Sequence, residues 1–156
     1  MVLSPTVMQT EVLKMTDESR GDFVGWPESA PETAANWAAA CRAFFTQISA
    51  PPINPAIHGA AEQAFIAASV GTISVPGGGA AALDLGFQVY AATMIAGVIP
   101  PAIAIPPVVP PLLATVLIAP VPSAQGVAVT LGAKIYTWAI TGTFTVPPAP
   151  AVLPWL

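Results

Sequence analysis

The chain has 156 residues, enough for one domain, and combines 54% apolar residues with only 8% charged ones and a net charge of −4. Disordered chains are poor in apolar residues and rich in charge, so this balance excludes disorder; the absence of a basic patch excludes an electrostatic nucleic-acid interface. A soluble domain is typically about 25% charged, so much of this surface is apolar or neutral, and a large apolar surface marks an interface.

The charges that exist are crowded at one end. Eight of the twelve precede position 33, and beyond Ala43 there are only Glu62, Asp84 and Lys134. The N-terminal part is therefore expected to be the wettest. Its first residues show neither the basic region nor the continuous apolar run of a secretory signal. Cys41 is the single cysteine, so no intrachain disulfide is possible, which suits assembly in a reducing compartment.

In chain order, residues 7–17 predict a first helix, with Met8, Val12 and Met15 on one stripe and Ser4-Pro5 at its start. Residues 20–27, RGDFVGWP, read as a loop; its RGD invites an integrin reading that lacks any extracellular context. The second helix opens at Ser29 with Glu32 three residues on, the spacing of a capping box. Trp37, Cys41, Phe44 and Ile48 then share a face, and Pro51-Pro52 ends it. A third helix is expected from Asn54 as cap and Pro55 as first residue to Gly71, with Ile57, Ala61, Phe65 and Ala68 on one face. After a flexible GGG at 77–79, a fourth places Leu83, Phe87, Tyr90 and Met94 in line.

Residues 98–122 are uncharged and carry eight prolines, including the pairs 100–101, 106–107 and 110–111. A membrane helix needs about 20 unbroken apolar residues, and proline removes a hydrogen bond and clashes with the preceding turn. A span is therefore not expected here. Residues 100–111 should instead be extended, reaching about 37 Å as polyproline II, with 112–119 a short helix or a strand, helix favoured. A last helix over about 125–141 turns Leu131, Ile135 and Trp138 inward, and a proline-rich tail follows.

The reading is a mainly α fold: a small bundle of about five helices with extended proline-rich arms, in a single domain over 1–156. Residues 1–99 form the helical part with its charged N-terminal segment, 100–122 the arm, 123–142 the last helix and 143–156 the tail. Removing the tail should leave the bundle helical. Candidate interface residues are Trp26, Pro100, Pro101, Ile105, Pro106, Pro107, Val109, Pro110, Pro111 and Trp155, because buried tryptophan carries much interface energy and proline lowers the entropy lost on ordering an arm.

No residue set announces chemistry. One histidine and one cysteine do not make a metal site, no cofactor motif is present, and Cys41 on an apolar helix face reads as a buried thiol. A Cys41–His58 nucleophile pair is the enzymatic alternative. The late acids Glu62 and Asp84 are expected to be solvated, or paired with Arg42 or Lys134.

The ending IYTWAITGTFTVPPAPAVLPWL, with Ile135, Trp138, Thr141-Gly142-Thr143 and Trp155, resembles small Ala/Pro-rich virion structural proteins of tailed bacteriophages, contractile-tailed ones above all. The succession of Ala-rich helix, PPINPAIHGAAEQAF, second Ala-rich helix and IPPAIAIPP is similar in layout. The tail departs from that pattern in carrying prolines where small polar residues stand. The resemblance implies a non-enzymatic particle component in the virion, assembled in the host cytoplasm, whose partners are other virion proteins and copies of itself. Tail or baseplate is the first expectation, a head decoration or cement protein the second, a membrane-associated protein the third.

Overall fold

The structure is a computed structural model that describes residues 3–117, 123–148 and 151–155. Six α-helices and a three-stranded sheet make up the described fold: α1 (Pro5–Thr16), α2 (Ala30–Phe45), α3 (Ile57–Ile73), α4 (Gly79–Met94), β1 (Ile103–Ile105), α5 (Ala114–Leu117), α6 (Ala124–Ala139), β2 (Thr143–Thr145) and β3 (Leu153–Pro154). The mainly α reading holds.

The helix starts follow from their caps. Ser4 accepts from the Thr6 N–H at 3.3 Å with Pro5 opening α1, and Ser123 accepts from the Gly126 N–H at 3.1 Å to open α6. Ser29 accepts from the Glu32 N–H at 3.3 Å, while the Glu32 carboxylate reaches back one residue further than a capping box requires, to the Glu28 N–H at 2.8 Å. The third helix differs from expectation at both ends. Asn54 does not cap it but folds a turn ahead of it, accepting from the Ala56 N–H at 3.0 Å. Gly71 does not end it either, and α3 runs on to Ile73.

The helices pack as α1 against α6, α3 against α4, and α2 against α1 and α3. Gly86 makes the α3–α4 approach possible: a Cβ there would stand 2.7 Å from the Phe65 ring. The core is aromatic. Phe45 stacks on Tyr90 at 5.3 Å between centroids and meets Phe44, Trp138 and Trp155 edge-on. Phe87 meets Trp37, Phe65 and Trp138 edge-on. Leu131, Ile135 and Trp138 are buried as expected, and so are Leu83, Phe87, Tyr90 and Met94. Gly79–Gly97, which adds a 3₁₀ turn to α4, is long and apolar enough to cross a membrane, with a mean hydropathy of 1.2. In this fold one face of it is buried, packed on α3 and α2.

The sheet corrects the picture of free arms. β1 comes from the predicted arm, β2 and β3 from the predicted tail, and they pair antiparallel in the order β1-β2-β3. Ala104 lies opposite Phe144, and Phe144 is buried. Trp155 follows directly and is fully buried, 0% exposed. Its N–H donates to the Gly142 carbonyl at 3.0 Å and its indole N–H to the Thr143 carbonyl at 3.2 Å. Gly142 is needed there because a Cβ would stand 2.6 Å from the indole ring. The arm thus does not reach away at full polyproline II length; burial of Phe144 and Trp155 draws both proline-rich segments onto the bundle. Of the predicted helix at 112–119, only Ala114–Leu117 is seen as helix, and 118–122 lie outside the described residues.

Removal of the tail should therefore open the core rather than leave it intact. Trp155→Ala is expected to cost about 3–5 kcal/mol, and Gly142→Val at least about 1–3 kcal/mol through overpacking. Urea unfolding followed by circular dichroism measures both. A Trp155→Ala chain as stable as the parent would contradict the buried position of this side chain.

Candidate functional site

The proline-rich segment after β1 has few internal hydrogen bonds of its own, and side chains from two helices hold it. Gln88 of α4 donates to the Val108 carbonyl at 2.8 Å, and the Trp138 indole of α6 donates to the Val109 carbonyl at 2.5 Å. Asp84 of α4 accepts from the Leu113 N–H at 2.8 Å. Leu112 itself takes a left-handed backbone, φ 57°. Burial raises the Asp84 pKa above its usual 3.8, against the lowering effect of the Leu113 N–H and of Lys134. Asp84 is thus seated by backbone rather than by a direct ion pair with Lys134, whereas Glu62 does pair with Arg42, at 2.9 Å.

With its polar backbone turned inward to these clamps, the segment presents apolar side chains outward. Val108 is 76% exposed, Val109 61%, Ile103 62% and Ile105 57%. Ile99 and Leu112 are exposed as well. Between this segment and α6 lies an open cleft of about 380 Å³, walled by Val108–Leu112 on one side and by Lys134, Thr137, Trp138 and Thr141 on the other.

The expected interface residues divide between surface and core. Pro100, Pro101, Ile105 and Val109 are exposed, and Pro106 and Pro110 are half-buried. Trp26 is exposed too, edge-on to Phe23 with its indole N–H on the Glu18 carboxylate. Pro107, Pro111 and Trp155 are buried within the chain's own fold. Trp155 and Pro107 both pack at Gly142. Gln88 and Leu113 have no place in the sequence-derived set. The one available signal was Asp84, a lone carboxylate in an apolar helix, which required a polar partner.

The second polar feature lies in the core. His58 is buried, and its Nδ1 is 2.9 Å from the Tyr90 hydroxyl. Burial lowers the His58 pKa, aided by the Arg42 charge and opposed by Glu62. Burial also pushes the Tyr90 hydroxyl and the Cys41 thiol up. A buried neutral thiol is a poor nucleophile, and the histidine is committed to a tyrosine. The hydrogen bond at Nδ1 of the His58 ring runs to Tyr90 rather than to Cys41. Among the described residues no group of three or more His, Cys, Asp or Glu side chains could hold a metal ion, and every buried side-chain polar atom has a partner.

Comparison with protein-family models, with curated proteins and with solved structures finds no match to this chain.

Two predictions follow from the polar seats. Asp84→Asn keeps an acceptor for the Leu113 N–H and should change stability by less than about 1 kcal/mol, while Asp84→Ala leaves that N–H without a partner and should cost about 1–3 kcal/mol. For His58, the unfolded chain takes up its proton near 6.5 before the folded one does. Its contribution is present above that pH and is lost as pH falls through the lowered folded value. Urea midpoints recorded from pH 7.5 to 5 should decline, and His58→Phe should flatten the decline while lowering stability at pH 7.5.

Proposed function

We propose that this chain is a non-enzymatic structural subunit of a bacteriophage particle, placed in the tail or baseplate and assembled through the face formed by β1 and the loop that follows it. The observation that carries the reading is that uncharged apolar face, with Ile103, Ile105, Val108 and Val109 each more than half exposed in a chain with only twelve charged side chains. An apolar surface of this kind is costly to leave in water and is the usual mark of an interface. The backbone beneath it is pinned by Gln88, Trp138 and Asp84, so little conformational entropy is left to lose on binding. The placement in a phage particle comes from the resemblance of the last 22 residues and of the helix–proline layout to small virion proteins.

Mass spectrometry of gradient-purified particles, with gold-labelled antibody to locate the chain, tests this reading. The expected result is many copies per particle and label on the tail. Label on the head would favour the decoration or cement role. Absence from particles, together with flotation of the chain on lipid vesicles, would overturn the proposal in favour of a membrane-associated protein.

A further inference from the structure

The two edges of the sheet are not equivalent. β3 is two residues long and ends in Pro154, which has no N–H to offer a further strand. β1 carries N–H groups throughout, and among the described residues no strand or bridge pairs with its outer side. Edge strands are ordinarily blunted with charge, proline or a covering element. β1 is bounded by Pro101 and Pro106 but has no charge and, among the described residues, no cover, and Ile103 and Ile105 stand on its solvent face. An uncovered edge lined with β-branched apolar side chains is suited to strand addition.

We propose that the occupant is a second copy of this chain, joined β1 to β1, antiparallel, about a two-fold axis at Ala104; this rests on the assembly reading above and names the partner. Three observations select a second copy. β1 is three residues long, and only the register with Ala104 opposite Ala104 pairs all three in both strands. That register sets Ile103 against Ile105 of the other copy twice over, with four isoleucines on one face as cross-strand pairs. The face also carries no charge in a chain of net charge −4, so two copies meet there without like-charge repulsion. The apolar loop running on from β1, through Val108, Val109 and Leu112, widens the contact toward the roughly 800 Å² per partner that a stable interface buries. The product is a six-stranded sheet with a Pro154-blunted edge at each end.

Sedimentation equilibrium and paired cysteine variants test this directly. The parent chain should sediment at twice its monomer mass. Ile103→Lys and Ile105→Lys should each weaken association by at least about tenfold, since each change occurs twice in the dimer, with helical circular dichroism unchanged. Val75→Lys, an exposed apolar site at the end of α3, should leave the mass as it was. Chains carrying Ile103→Cys and Ile105→Cys should form a disulfide when mixed under mild oxidation and little when oxidised separately. Opposed residues in an antiparallel pair lie about 4.5–5.5 Å apart at Cα, within the range a disulfide spans, and the buried Cys41 stays out of reach. A monomeric parent at high concentration would overturn the self-pairing while leaving the virion role to the particle analysis. Association lost in the lysine variants without the mixed disulfide would overturn the β1 pairing and keep the face. Association indifferent to the lysines would overturn both.

Discussion

The constraint on which the rest depends is the disposal of backbone polar groups in a proline-rich stretch. Such a segment cannot satisfy itself as helix or as a wide sheet, because each proline lacks a donor and restricts its predecessor. Burying it bare would leave carbonyls and N–H groups without partners, at about 1–3 kcal/mol each. The helices supply the missing partners one by one: an amide from Gln88, an indole N–H from Trp138 and a carboxylate from Asp84. Each lies on the side of its helix that faces the segment. Once these are made, the backbone polarity is turned inward and the aliphatic side chains are left outside.

The same constraint explains the tail. Three short strands cannot stand alone, since a small sheet needs a face packed against something. Phe144 and Trp155 provide that packing, and Gly142 lets the indole lie against the chain where α6 gives way to β2. The tail is therefore part of the core, and the proline-rich arm is anchored at one end by the sheet and at the other by Asp84. A surface held this way differs from a floppy arm: it is pre-organised, and its apolar side chains stay exposed.

Two polar interactions inside the bundle play a narrower part. The His58–Tyr90 hydrogen bond ties the start of α3 to α4 within an aromatic core, and the Arg42–Glu62 pair joins α2 to α3 at the surface. Both use residue types that could carry chemistry elsewhere. Here each is satisfied by its neighbour, and Cys41 beside them is a buried neutral thiol. Both tie neighbouring helices together.

The helices were legible in the sequence because their signals are local. Ser4 and Ser29 stand where a cap is needed, and Leu83, Phe87, Tyr90 and Met94 recur at helical spacing. The boundaries of α3 were less so, because Asn54 serves a turn as readily as a cap. Composition also determined by itself that some apolar surface must stay exposed, since twelve charges cannot cover a domain of this size. What only the tertiary structure decided is which apolar residues those are. Trp155 and Pro107 look as available in sequence as Ile105 and Val109, yet the first two are buried and the last two exposed. The difference rests on pairings between residues far apart in the chain, Ala104 with Phe144 and Leu113 with Asp84, and no local pattern encodes a contact whose two halves are separated by 29 positions or more.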